Sequence, residues 1–175
     1  MQDWLTALSI YSATREHILE HRFLADVCSE LWCRQVFDFA VFHSEVDNSG
    51  YDVIIEASGV MRHIQLKAMH TSAKRRSFDI QARLADRPDG CVVLIVHDAQ
   101  TLATLGYRWF GGPPGEGLCG MGDRIARHNK GNALGIKSER PALREVSLSK
   151  FEALDDASEL VSRLFGAEVF ASGLE

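Results

Sequence analysis

The sequence predicts a single α/β domain spanning 1–175, with a mixed central sheet flanked by helices, and three stretches predict it. Residues 13–34 contain no Gly or Pro, and Leu24, Val27, Cys28 and Leu31 recur there at helical spacing. Residues 51–57 and 60–68 are two β-rich runs separated by Ser58-Gly59, a two-residue connection of the kind that closes a hairpin. Residues 91–96, Cys-Val-Val-Leu-Ile-Val, form a continuous apolar run that suits a central strand covered on both faces.

The length of 175 residues supports one full core, because domains usually hold ~100–200 residues. Hydrophobic residues at 46% and charged residues at 25% are the proportions of a globular protein, and they exclude a disordered or membrane-embedded chain. No apolar run approaches the ~20 residues that cross a bilayer. The start, Met1-Gln2-Asp3-Trp4, lacks a basic region followed by an apolar stretch, so a cytoplasmic location without a membrane partner is expected. Cys28, Cys33, Cys91 and Cys119 contain no CxxC pair and read as reduced core thiols. A formal charge of −5 argues against a protein that coats nucleic acid by charge alone, since phosphate neutralisation dominates such binding. A local basic groove is compatible with it, and carboxylates gathered around a metal would add to the negative count.

Other elements follow from local pattern. Residues 35–43 are dense in Val and Phe and read as a strand, followed by a polar turn over 47–50. After Met69 the chain turns basic, and a short helix is expected over 77–85, ending before Pro88-Asp89-Gly90. Residues 107–110 read as a strand, residues 111–122 as a Gly/Pro loop, and residues 144–148 as an outer strand. Arg124, Arg127, His128 and Lys130 form a basic segment between them. Ser149-Lys150-Phe151-Glu152 has capping-box spacing, so a last helix should carry Leu154, Leu160, Val161 and Leu164 to a Gly166 cap.

The hairpin's chemistry can be worked out from its turn. With Ser58-Gly59 as the loop, antiparallel partners have constant sum, so Glu56 faces Met61, Ile54 faces His63 and Asp52 faces Gln65. Strand alternation places Lys67 on the face of Gln65. At ~100° per residue, Glu20 falls within the apolar stripe of the first helix, where a carboxylate is costly unless paired or metal-bound. Glu20, Asp52, Gln65 and Lys67 are therefore expected to converge beneath that helix.

Glu20, the Gly50-Tyr51-Asp52 segment and Gln65-Leu66-Lys67, in the order α, β, β, β, α, β, resemble the PD-(D/E)xK nuclease-like superfamily, in particular its small bacterial members with a Gln-x-Lys last motif. The resemblance covers about the first half of the chain. It implies a restriction-endonuclease-like core over about 13–98, with 99–175 as a C-terminal extension ending in a helix. It also implies hydrolysis of nucleic-acid phosphodiesters, DNA before RNA, with Mg²⁺ or Mn²⁺. Asp52, Gln65, the Leu66 carbonyl and Glu20 would hold the metal, and Lys67 would assist the attacking water. Double-strand cleavage in this superfamily implies a homodimer. The sequence departs from the commonest pattern at Gln65, which removes one negative charge, and at Tyr51, where the superfamily's name has Pro.

Lys74, Arg75, Arg76 and Arg83 follow the lysine motif and could contact phosphates without reading sequence. The alternative reading of Asp52, Gln65 and Lys67 is a wet polar hairpin face, and the alternative function is a binding module on the same fold with weakened catalysis. An enzyme acting on a small phosphoester is a third reading. His17 and His21 have zinc-binding spacing without further placed ligands. Gln81 stands where some relatives of the superfamily carry a substrate-contacting Gln, although Ala85 replaces their following aromatic.

Overall fold

The computed structural model describes residues 3–43, 50–128 and 137–167. The chain opens with a short helix, α1 (Trp4–Ile10), capped by the Asp3 carboxylate on the Thr6 N–H, and then α2 (Ser12–Cys33). Leu19, Phe23, Val27 and Leu31 recur every four residues on α2 and are fully buried, so one stripe of the helix faces the sheet. The first strand is β1 (Phe39–His43), four residues shorter at its start than the apolar composition suggests.

β2 (Val53–Ala57) and β3 (Val60–His70) form the expected hairpin. Ser58 and Gly59 both have positive φ, 51° and 77°, the two-residue arrangement whose twist matches that of paired strands. Ala57 stands opposite Val60, Glu56 opposite Met61 and Ile54 opposite His63, and the ladder ends at Val53 and Ile64. Position 52 is a correction. Instead of standing opposite Gln65, Asp52 lies one residue beyond the ladder and donates its N–H to the Ile64 carbonyl at 2.9 Å.

Residues 77–85 do not form a helix. They become β4 (Ser77–Gln81) and a 3₁₀ turn (Ala82–Asp86), so the order α, β, β, β, α, β holds only up to its second helix. Ser-Phe-Asp-Ile-Gln alternates polar and apolar, and Phe78 and Ile80 are fully buried while their neighbours are not. The pairing that selects the strand is with a segment more than sixty residues later, which no local pattern discloses. β5 (Gly90–His97) lies parallel to β3 and is buried along most of its length, followed by β6 (Thr104–Gly111).

β7 (Ile125–Arg127) and β8 (Glu139–Ser147) complete a small sheet of order β4-β8-β7. The expected outer strand thus begins five residues earlier than predicted. The larger sheet has the order β1-β2-β3-β5-β6-β9, where β9 is Glu152–Leu154. The capping box at Ser149 is a second correction, because that segment is a 3₁₀ turn leading into β9. The last helix, α3 (Ala157–Phe165), starts instead at Asp156, whose carboxylate caps the Glu159 N–H, while Glu159 accepts from the Asp155 N–H. It ends at Gly166 as predicted, with φ of 90°. The turn over 47–49 and Lys130 lie outside the described residues.

Two cores cover the two faces of β5. On one, α2 and α3 bury Leu19, Phe23, Leu160 and Phe165 with Val93 and Ile95. On the other, the small sheet buries Phe78, Ile80 and Val146 with Val92 and Leu94. Residues expected as a C-terminal extension therefore build both layers. Only Cys91 among the cysteines is fully buried; Cys28 is half-buried and Cys33 and Cys119 are exposed, so they are not all core thiols. No helix among the described residues is long and apolar enough to cross a membrane.

Arg62 is fully buried on the helix-covered face of β3. Its guanidinium donates to the Leu164, Arg163 and Gly112 carbonyls and lies 3.6 Å from Asp89, so a charged side chain closes the C-terminal end of α3. Removing it strands those acceptors in a dry site. Arg62→Ala should cost about 3 kcal/mol in urea unfolding, the range for breaking a buried charge pair from one side; a loss below about 1 kcal/mol would contradict this role.

Candidate active site

β3 is 11 residues long and β2 only 5, so β3 runs past its partner from Gln65 onward. The backbone groups along that edge need other partners. Asp52 supplies one, its Oδ2 accepting the Leu66 N–H at 2.6 Å. In an extended strand the Leu66 carbonyl points to the same edge as its N–H, towards Asp52. One carboxylate thus replaces a missing strand and is fixed beside a main-chain oxygen.

Gln65 and Lys67 alternate with Ile64, Leu66 and Ala68, which pack into the helix-covered core. Their neighbours on β5 are Val92 and Leu94, which belong to the other core. Gln65 and Lys67 therefore lie under the small sheet, on the face turned away from α2. The side chains do not sit beneath the opening helix as the sequence suggested. Gln65 is buried, and its amide oxygen accepts the Gln81 N–H at 3.1 Å, tying the end of β4 to the middle of β3. That bond makes Gln81, read from sequence as a helix residue, a strand-end anchor.

All the same, Glu20, Asp52, Gln65, Leu66 and Lys67 line one pocket of about 480 Å³ that opens along the bare edge of β3. The edge is reachable from both faces, so Glu20 can approach around the end of β2 from the helix side. Glu20 is half-buried, and its carboxylate lies 3.2 Å from Nε2 of His43, the last residue of β1. Sequence reasoning missed His43 and the pocket residues Arg15, Asp79 and Arg140. Arg140 arrives on β8, paired at 3.5 Å with Asp79 on β4. Its only sequence signal is membership of a polar stretch. Arg15 lines the pocket from α2 while donating to the Leu8 carbonyl and to Glu16.

The predicted phosphate-contacting residues divide. Arg75 lines the pocket, its guanidinium 4.5 Å from the centre of the Phe78 ring. Arg76 lines a different pocket, and Lys74 and Arg83 are exposed and line neither. His17 and His21 stack at 6.3 Å, and no third ligand joins them among the described residues. Nor do any three His, Cys, Asp or Glu side chains gather as a metal cage among those residues.

Burial lowers the Lys67 amine below the ordinary lysine value; Asp52 opposes the shift and Arg75 adds to it. His97, at the C-terminal end of β5, is likewise held below its ordinary range by burial.

No protein-family profile matches the sequence, and no curated protein does. Among solved structures, a bacterial homing endonuclease aligns over 63% of this chain and 80% of its own, at 14% identity and a TM-score of 0.28. At that score the functional reading rests on the site itself.

The lowered amine makes a sign-specific prediction. Lysine in the unfolded chain binds its proton up to about 10.5, whereas folded Lys67 releases it earlier, so the unfolded state holds more protons in between and stability rises with pH there. A Lys67→Met variant should therefore gain most over wild type below the folded value, with the gap narrowing as pH approaches 10.5. Urea titrations across that range read it; a constant gap would show an unperturbed amine.

Proposed function

We propose that the pocket on the bare edge of β3 hydrolyses nucleic-acid phosphodiesters with Mg²⁺ or Mn²⁺, and that DNA is the preferred substrate. The observation that carries this reading is the gathering of Asp52, Gln65, the Leu66 edge, Lys67 and Glu20 around one polar pocket. Its donors are hard oxygens, and Mg²⁺ commonly takes only one or two carboxylates, filling its sphere with water and substrate phosphate. Two carboxylates, an amide oxygen and a main-chain oxygen fit that habit. When bound, the ion would polarise the phosphoryl oxygen and offset charge developing there.

The chain's own residues do the rest. Asp52, locked by the Leu66 N–H, presents a fixed carboxylate to the ion. Gln65 presents its amide oxygen, oriented by the Gln81 N–H. Lys67, whose amine burial lowers below the ordinary lysine value, is placed to exchange a proton with the attacking water. Arg75 and Arg140 stand at the same pocket to hold phosphate charge. Glu20, bonded to His43, positions water at the opposite wall.

Purified protein incubated with DNA or RNA and Mg²⁺ or Mn²⁺ should cleave, and Lys67→Ala should lower the rate by ~10²-fold or more, the usual worth of a positioned proton-transfer group. Equal cleavage by both proteins, or none by either, overturns the reading. Gln65→Glu restores the charge the superfamily commonly carries and keeps the acceptor for Gln81. It should tighten Mg²⁺ about tenfold by calorimetry, part of the gain that one added charge supplies at close range.

Gln65 also favours a second reading, a nucleic-acid-binding module with weak hydrolysis, because a neutral amide holds a divalent ion less well than a carboxylate. Silent Mg²⁺ and Mn²⁺ titrations beside measurable oligonucleotide binding would select it.

A further inference from the structure

The small sheet carries a feature that the hydrolytic site does not use. On β4, Ser77, Asp79 and Gln81 alternate with the fully buried Phe78 and Ile80, so the three share the outward face. On β8 their partners are Ser147, Glu145 and Leu143. One end of this ladder, Gln81 and Leu143, walls the pocket that contains Lys67. The other end, Ser77 and Ser147, walls a second pocket of about 370 Å³, which also holds Arg76, Arg124 and Lys150. At ~3.3 Å per residue the two ends lie ~13 Å apart, about four nucleotides of duplex rise at ~3.4 Å each.

Charge at the far end of this face runs against that of the whole protein. The formal charge of the chain is −5. In the second pocket Arg76, Arg124 and Lys150 outnumber Asp123 and Glu145, while the first pocket is balanced, with four cations and four carboxylates. The two carboxylates at the middle rung are already matched. Asp79 pairs with Arg140, and Glu145 takes Arg124 at 3.0 Å and the Ser77 hydroxyl at 2.8 Å. Lys150 is aimed by a bond to the Gly120 carbonyl at 2.7 Å. Arg76 is exposed, and its backbone carbonyl accepts the Leu148 N–H at 2.8 Å, which holds it beside the end of β8. Lys150 is braced by a neutral carbonyl, whereas Arg124 and Arg140 are positioned by the carboxylates they pair with.

We propose that the outward face of the β4–β8 ladder is a track for the nucleic-acid backbone, leading from the Lys67 pocket to a second phosphate site made by Arg76, Arg124 and Lys150. This rests on the reading of the first pocket as the place where a phosphodiester is held. The second site contacts phosphate alone and fixes register without reading bases. It explains why Arg76, next to Arg75 in sequence, faces a different pocket: consecutive arginines serve two phosphates several nucleotides apart.

The test uses the 175-residue chain carrying Lys67→Ala, so that substrate is not consumed, and fluorescence anisotropy with labelled hairpin-closed DNA duplexes of about four and about twelve base pairs across a salt series. Adding Arg76→Gln, Arg124→Gln and Lys150→Gln together should weaken binding of the long duplex about tenfold or more and reduce its salt slope by about two to three, near 0.9 for each phosphate no longer neutralised. The short duplex should change much less. Arg22→Gln, an exposed cation on α2 away from both pockets, is the control and should change neither. Thermal unfolding of each variant verifies that the fold is kept. The track is overturned if the triple variant binds the long duplex like its parent, if the control loses as much, if both duplexes lose equally, or if the parent binds neither. Wild-type protein that fails to cleave, while the triple variant still loses long-duplex affinity, would remove the hydrolytic reading and leave the track standing.

Discussion

A strand of 11 residues beside a partner of 5 leaves half of one edge of β3 without a ladder, and the rest of the site depends on that mismatch. Unpaired N–H and C=O groups inside a fold must be satisfied. Had β2 begun earlier, its backbone would have filled the space and Asp52 would have been an ordinary strand residue. Because it begins only at Val53, the Asp52 carboxylate takes over the hydrogen bond to Leu66 and a pocket opens where earlier residues of β2 would have run. The opening is flanked by both faces of the sheet, which is how Glu20 from the helix side and Lys67 from the other side line one cavity.

The small sheet follows from the same economy of chain. Two parallel strands need a crossover, usually a helix. Between β3 and β5 the crossover is β4 and a 3₁₀ turn, too short to cover the face of β5 alone. β8 and β7 complete the cover from far along the sequence, and they deliver Arg140 to the pocket. On the helix-covered face Arg62 plays the corresponding part, joining β3 to the end of α3 through backbone carbonyls. Its desolvation lowers its affinity for a proton, with nearby Asp89 opposing the shift, yet multiple acceptors keep it in place.

Legibility in the sequence tracks the range of the interactions that decide each element. The 58–59 hairpin, the long helix and the β5 run are set by turn chemistry and periodicity, and the fold carries all three. Those local signals also name Glu20, Asp52, Gln65 and Lys67, four of the residues that line the pocket around β3, while Leu66 comes from the resemblance alone. What the sequence does not disclose is pairing at long range. Ser77-Phe78-Asp79-Ile80-Gln81 has a period-two pattern, but only β8 makes it a strand. The capping box is misplaced because Ser149-Lys150-Phe151-Glu152 and Asp156-Ala157-Ser158-Glu159 both satisfy the spacing, and the buried Phe151 draws the first into the small-sheet core. His43 and Arg140 carry no motif at all. Only the ends of β1 and β8 bring them to the site.

Electrostatics ties these pieces to function more closely than net charge does. Burial disfavours the ammonium form of Lys67, and Arg75 at the same pocket disfavours it further, so the protein alone holds that charge at a cost. An anion entering the pocket would add to the counter-charge that Asp52, Asp79 and Glu16 already supply. Because coupling between two bound species is reciprocal, a phosphate that favours the protonated lysine is itself bound more tightly by it. An exposed lysine in high dielectric would offer much less, since the same pair of charges there is worth only ~1 kcal/mol. On the proposed reading, the depth of β3 beneath the small sheet, rather than the number of basic residues in the chain, is what would suit Lys67 to a phosphate.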